Sequence, residues 1–230
     1  MTTIYTNLQA VYQRIVLAAR QFGRDPAEIS LLAVSKTKSA ELVKEAIAAG
    51  QTAFGENFVQ EGVKKIASLT SLKPCWHFIG SLQSNKTRLV AENFDWVHSV
   101  DRLKIAQRLN HDRPDSMAPL QICLQVNISE ENTKSGLDLQ SDEIKDLAKA
   151  VACLPKLKLR GLMCIPAEVY DFDAQRRPFL RLRGIFMELK KEGFLLDTLS
   201  MGMSHDLEAA IAEGATMVRI GTAVFGERNR

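Results

Sequence analysis

No apolar run in this sequence approaches the roughly 20 residues that a membrane-spanning helix needs. The opening Met1-Thr2-Thr3-Ile4-Tyr5 also lacks the charged-then-apolar plan of a secretory signal. Cysteine is sparse: Cys75, Cys123, Cys153 and Cys164 lie far apart, with no C-x-x-C pair. Three of the four fall in or beside apolar, strand-like runs, the pattern of buried thiols in a reducing compartment. Charge is nearly balanced, with 30 Lys+Arg against 27 Asp+Glu and a net charge of +3, too small an excess to point to nucleic acid or an anionic membrane. The four histidines, His77, His98, His111 and His205, show no metal-ligand spacing. Linkers, low-complexity tracts and shifts of composition are missing too, so one domain over residues 1–230 is expected. The chain reads as cytoplasmic, with no nucleic-acid, membrane or metal partner, and a monomer is the simplest expectation.

What is present is an ordinary globular composition, 46% hydrophobic and 25% charged, and one stretch around which the rest is organised. Ile29-Ser30-Leu31-Leu32-Ala33-Val34-Ser35-Lys36 comes after Asp25-Pro26 and reads as a buried strand of a parallel sheet. It stops at a lysine, after which Thr37, Lys38 and Ser39 lead into a helical pattern. In a strand-then-helix unit, the carboxyl end of the strand is the rim at which ligands bind. Lys36 is either a side chain that has left the core for water or an amine kept partly neutral by burial, able to form a Schiff base with an aldehyde.

The same strand-then-helix unit recurs along the chain. Further strands are expected at residues 52–54, 75–79, 96–100, 120–128, 157–165, 198–200 and 217–220. Helices are expected at 6–22 behind a Thr6 cap, at 39–49, after Asn57, at about 85–91, after an Asp101 cap, at 141–153, at 174–191, and behind a Ser204 cap. A polar loop spans 129–136. Eight such strands in a chain of this length point to an α/β fold of the (β/α)8 TIM-barrel kind. A doubly wound open sheet is the alternative, because alternation by itself does not show closure. Little sequence remains beyond the eighth strand, and the helix at 6–22 is placed to stand in for the missing last helix.

The residues at and just beyond the strand ends are Lys36, Asn57, His77 with Gly80-Ser81, Met163, Ser200-Met201-Gly202-Met203-Ser204, and Arg219-Ile220-Gly221-Thr222. In barrels a phosphate commonly sits at the loops after strands seven and eight, on N–H groups at a helix start. Gly202 and Gly221 would let backbone approach a ligand closely, Ser200, Ser204 and Thr222 bring hydroxyls, and Arg219 brings charge. A lysine on strand one and a phosphate cup on strands seven and eight describe an aldehyde that carries a phosphate ester. Pyridoxal 5′-phosphate fits, and so does the sugar phosphate of an aldolase. His77 and His98 read as satisfied rim histidines, and the Glu/Lys-rich helix faces as solvated surface.

Several of these segments together resemble the pyridoxal phosphate homeostasis proteins (the YggS/PROSC family). They are Ala33-Val34-Ser35-Lys36-Thr37-Lys38, Phe54-Gly55-Glu56-Asn57, Trp76-His77-Phe78-Ile79-Gly80 and Leu82-Gln83-Ser84-Asn85-Lys86. Ser200-Met201-Gly202-Met203-Ser204 and Met217-Val218-Arg219-Ile220-Gly221-Thr222 complete the set, and the similarity runs from about residue 8 to the end. Ser39 and Ser81 depart from it, standing where proline is common. The resemblance implies a barrel like the N-terminal domain of alanine racemases and pyridoxal phosphate on Lys36, with no established turnover. It places Asn57 beside the cofactor ring and Ser200, Gly221 and Thr222 at the phosphate; Met163, Met201, Gly202 and Ser204, at the strand ends, are expected to line the same cofactor site. Arg219 would meet the phosphate or the pyridine nitrogen, the phosphate being the expectation. A cofactor carrier, with apo-enzymes as partners, is then the leading function. An amino-acid racemase and a Schiff-base aldolase are the alternatives. Racemisation needs a second proton-transfer group, and in those racemases a C-terminal domain and a dimer partner supply it. Of the three tyrosines, Tyr170 alone falls in a loop on the expected ligand-binding rim.

Overall fold

The computed structural model describes residues 3–129, 136–139 and 142–227. Short apolar runs ending at polar or glycine residues become strands β1 (Ser30–Val34), β2 (Ala53–Glu56), β3 (Cys75–Phe78), β4 (Trp96–Val100) and β5 (Leu120–Asn127). After the two-residue β6 (Leu137–Asp138) come β7 (Leu157–Met163), β8 (Thr198–Ser200) and β9 (Met217–Ile220). The helices are α1 (Ile4–Gln21), α2 (Ala40–Ala48), α3 (Val59–Ser68), α4 (Thr87–Asn93), α5 (Leu103–Asp112), α6 (Glu143–Ala152), α7 (Phe172–Lys191), α8 (Leu207–Ala212) and α9 (Thr222–Phe225).

Every strand pairing is parallel, and the ladder β1-β2-β3-β4-β5-β7-β8-β9 returns to β1, which closes an eight-stranded barrel. Closure removes the open-sheet alternative. β6 adds to β5 outside this ring and is not among the strands expected from the sequence. The polar loop expected at 129–136 lies, for residues 130–135, outside the described residues.

Successive residues of a strand face opposite sides of the sheet. Phe54, Phe78, Val97, Leu124, Leu162 and Val218 point outward and build one continuous core with the helices. Leu32, Ile79 and Met217 form a smaller inward cluster, and His77, His98, Ser200 and Arg219 are polar groups buried in the same interior. No helix of the described residues is long and apolar enough to cross a membrane.

α1 packs on α2, α8 and α9. Leu8, Val11 and Ile15 face inward at helical spacing, Asn7 Nδ2 donates to Val224 O (2.9 Å), and Arg14 Nε donates to Glu208 Oε1 (3.0 Å). The first helix of the chain thus fills the gap left by the single-turn α9. Its cap is Thr3, whose Oγ1 accepts from Thr6 N (3.1 Å), so the helix starts earlier than the Thr6 cap implied. Arg102 and Asp206, and neither Asp101 nor Ser204, directly precede α5 and α8.

The turn after β1 is held from outside the barrel. Thr37 adopts φ 63°, a left-handed conformation that side chains seldom take, and its N–H donates to Glu61 Oε1 (2.6 Å). Lys65 Nζ donates to that same oxygen (2.6 Å), to Glu56 Oε1 (2.8 Å) and to the Ser35 carbonyl (2.6 Å). Ser35 Oγ donates to Glu56 Oε1 as well (2.6 Å). Glu56 is fully buried, and burial raises its pKa against the opposing pull of Lys65. Removing the lysine would strand this carboxyl in the core. Lys65→Met should therefore lose about 3–5 kcal/mol of stability, and adding Glu56→Leu should restore most of it. Denaturant titrations of the two variants check this; a loss under about 1 kcal/mol for the single substitution would show that the network contributes little.

Candidate functional site

A cleft of about 230 Å³ opens at the carboxyl ends of β1, β8 and β9. Lys36, Asn57, Ser204, Arg219, Gly221 and Thr222 are part of its wall, so six of the ten residues expected from the sequence come together here. Lys36 is half-buried, two residues beyond β1, on the inward parity shared by Leu32 and Val34. Asn57 comes directly after β2, and its carbonyl lies so close to Gly80 that a Cβ at residue 80 would collide with it. Ser204 and Thr222 sit on the loops after β8 and β9. Thr222 is exposed at the start of α9, where the first N–H groups of a helix lack intrahelical acceptors.

The other four expected residues are not in the wall. Met163 and Met201 are fully buried, Met201 within the main hydrophobic core. Gly202 is buried with φ +94°, and a Cβ there would fall 2.5 Å from Ala210 Cβ, so glycine serves packing and backbone conformation at this position. Ser200 is fully buried, with its hydroxyl engaged by Arg219 Nη1 (2.9 Å) and by His98 Nδ1 (2.8 Å).

Arg219 is 5% exposed, and its guanidinium donates to the Ser200 carbonyl, to Ser200 Oγ and to the Cys164 carbonyl (Nη2, 2.7 Å). All three acceptors are neutral, and among the described residues no carboxylate pairs with it. Burial lowers its pKa, although an arginine remains a cation throughout the accessible range.

Sequence reasoning missed the apolar side of the cleft, formed by Val34, Ile79, Ile165 and Met203, and also missed His205. Ile79 comes directly after β3, Ile165 lies two residues past β7, and His205 is next to Ser204. Proximity to a strand end was the available signal for each. His77 and His98, expected at the rim, are instead buried in the barrel interior, with His77 Nδ1 2.9 Å from His98 Nε2. Burial pushes the His77 pKa down to about 3 and puts that of His98 well below 6.5, where His77 and Arg219 add to the effect. Both imidazoles are neutral. Among the described residues, no group of three or more His, Cys, Asp or Glu side chains could hold a metal ion.

The site thus defines a class of closed parallel barrels in which a lysine beyond the first strand and a buried arginine of the last meet at one cleft. The chain belongs to the alanine racemase N-terminal domain family, whose model matches residues 6–229. It is 57% identical over 229 residues to the pyridoxal phosphate homeostasis protein of Pseudomonas aeruginosa, covering 100% of this chain and 97% of that protein. To the protein of the same name from Escherichia coli it is 55% identical over 232 residues, covering 100% and 98%. Among solved structures, PipY of Synechococcus elongatus with pyridoxal phosphate bound matches at a TM-score of 0.78 and 39% identity, covering 92% of this chain and 100% of that one.

The buried histidines make stability depend on pH. A histidine whose pKa is lowered on folding binds a proton more readily when unfolded, so stability is lost as pH falls below the unfolded value of 6.5. Each such group contributes up to about 1.4 kcal/mol per pH unit in that window. Melting temperature should fall between pH 7 and pH 5.5, and the fall should be smaller in His77→Gln. An unchanged slope in that variant would mean that His77 titrates normally in the folded protein.

Proposed function

We propose that this chain binds pyridoxal 5′-phosphate at the mouth of the barrel, holds its aldehyde carbon on Lys36, and stores and delivers the cofactor to enzymes that need it. It turns over no substrate of its own in this reading. The observation that carries it is the convergence of Lys36, from one end of the chain, with Ser204, Arg219 and Thr222, from the other, on a single cleft. The names of the relatives and the ligand in the PipY structure support the same reading.

Two features of the cleft suit such a ligand. Asn57 Oδ1 is buried and has no hydrogen-bond partner among the described residues, and a buried acceptor of this kind calls for a donor, which a water or a bound ligand can supply. The Arg219 cation, surrounded by neutral oxygens, favours an electron-rich or anionic group beside it. When bound, the cofactor supplies an aldehyde that condenses with amines and a ring that withdraws electrons.

The strand register supports a division of labour among the residues. Ser204, Gly221 and Thr222 lie on the rim, where hydroxyls and open N–H groups suit a phosphate. Arg219 pairs in register with Leu32, deeper than Lys36, and shares its inward parity with Met217. We therefore assign Arg219 to the pyridine nitrogen and not to the phosphate. Apart from Lys36 and Arg219, the one ionisable side chain on the wall is His205, which is exposed with Nε2 3.6 Å from Asp206 Oδ2. Tyr170 is 90% exposed and outside the wall. Moving a proton on both faces of a substrate takes two positioned groups, so the wall favours a carrier over a racemase.

Borohydride treatment of the loaded protein and subsequent peptide mapping should place the added mass on Lys36, and Lys36→Ala should abolish it. Incubation with amino acids in deuterated water should show no α-proton exchange near the enzymatic scale of roughly 1 per second. A label on Lys38 with Lys36 unmodified defeats the site, and Lys36-dependent racemisation at that rate defeats the carrier function.

A second test separates the two ends of the ligand. Thr222→Val should weaken pyridoxal phosphate about tenfold while sparing pyridoxal, one charge-assisted hydrogen bond being worth roughly 1.5–3 kcal/mol. Arg219→Gln should weaken both ligands equally in fluorescence titrations. A loss confined to the phosphorylated ligand in Arg219→Gln would return that residue to the phosphate.

A further inference from the structure

Lys36 stands at the second position of a tight turn. The Ser35 carbonyl accepts from Lys38 N (3.0 Å), Lys36 keeps a negative φ, and Thr37 follows at φ 63°. That is the type II arrangement, whose third position ordinarily belongs to glycine because φ is positive there. A β-branched residue in this conformation is strained, and such strain persists only where the surroundings over-determine it.

Two side chains of α3 supply that constraint. The backbone direction at a residue is set by the two peptide planes that flank it. The plane before Lys36 is held through the Ser35 carbonyl, which accepts from Lys65 Nζ (2.6 Å) as well as from Lys38 N. The plane after Lys36 is held through the Thr37 N–H, which donates to Glu61 Oε1 (2.6 Å) although Thr37 itself is exposed. Lys65 Nζ donates to the same oxygen, so the two holders, one helical turn apart, fix each other. Relaxing Thr37 to the negative φ of a type I turn requires the second plane to flip. The C=O and N–H of a trans peptide point opposite ways, so the flip would turn the Lys36 carbonyl towards the Glu61 carboxylate, oxygen against oxygen.

We infer that Glu61 is a positioning residue for Lys36: by accepting from the Thr37 N–H it holds the strained turn in the one form that keeps the lysine at the wall of the cleft. Glu61 touches no ligand in this role and acts through the backbone alone. What Lys36 does at the cleft rests on the cofactor reading above; the hold on the turn does not.

The experiment has two arms. Amide hydrogen exchange followed by NMR should find the Thr37 N–H protected in the wild-type protein and exchanging about tenfold faster in Glu61→Leu. An unprotected Thr37 amide in the wild type overturns the inference. In the second arm, pyridoxal phosphate is compared with pyridoxine phosphate, which has the same ring and phosphate but an alcohol in place of the aldehyde, so that only the first can condense with Lys36. Glu61→Leu should weaken pyridoxal phosphate about tenfold, the scale of one hydrogen bond to a charged group, and leave pyridoxine phosphate unchanged. Glu61→Gln, whose amide oxygen can still accept from Thr37, should stay near wild type for both. Adding Thr37→Gly, which takes a positive φ without strain, should restore most of what Glu61→Leu loses. Equal losses for the two ligands overturn the positioning role, and so does a loss in Glu61→Gln as large as that in Glu61→Leu. Undiminished binding of pyridoxal phosphate on Lys36 in Glu61→Leu defeats this inference alone. If the wild-type protein binds neither ligand, the cofactor reading fails and the positioning role fails with it.

Discussion

The pairing of β1 with β9 is the contact on which the site depends. Four residues of β1, Ser30 to Ala33, lie in register with Met217 to Ile220. Those backbone hydrogen bonds turn a row of parallel strands into a ring and bring Lys36 beside the loop that carries Gly221 and Thr222. Parallel strands cannot be joined by tight turns, so these residues belong to the two ends of the chain. Their juxtaposition comes from closure alone. α1 supports it from outside by packing on α2, α8 and α9, which belong to the same two ends.

Polar groups are buried on both sides of the barrel wall, and the two sides handle them differently. Outside, Glu56 and Lys65 meet as an ion pair with Glu61 beside them, and their hydrogen bonds reach Ser35 and Thr37 on either side of Lys36. Inside, a single cation faces neutral partners, and two imidazoles forced neutral by burial carry the hydrogen bonding onward. Desolvating both members of an ion pair is expensive and is recovered only with good geometry and further hydrogen bonds, which Lys65 has. A chain of neutral groups avoids most of that cost, and every member must be satisfied for it to be stable. The outer network holds the turn that carries the lysine, and the inner one holds the arginine.

The rim of the site was legible in the sequence because the strand ends are marked by abrupt changes in residue type. Val34-Ser35-Lys36 and Ile220-Gly221-Thr222 each leave an apolar run for a polar one, and the structure brings both to one cleft. The interior was not legible. In a parallel barrel both faces of a strand are buried, so period-two alternation does not tell an inward His77 from an outward Phe78. The contacts of His98 with His77 and with Ser200 join strands that lie far apart in sequence, and no local pattern encodes them. Ser200 shows the limit most plainly. A hydroxyl at the end of β8 has the residue type and place expected of a phosphate ligand, and only its contacts with Arg219 and His98 reveal that it is already engaged. Helix starts were misplaced for a simpler reason: Thr3 and Thr6 are equally good caps, and the choice rests on which backbone N–H the hydroxyl meets.

The position of α1 bears on how the molecule is made. Ribosomes release a chain from its amino end, and domains tend to fold once their sequence has emerged. Here α1 rests on α8 and α9, which are made long after it. Of the surfaces that cover it, α2 emerges soon after it, and the other two, α8 and α9, emerge much later. β1 waits as long for β9. Contacts of such separation are slow to form, and the residues of the mouth stay scattered until they do. Until β9 has paired with β1, Lys36 therefore has no Gly221 and Thr222 beside it, and the cleft does not exist.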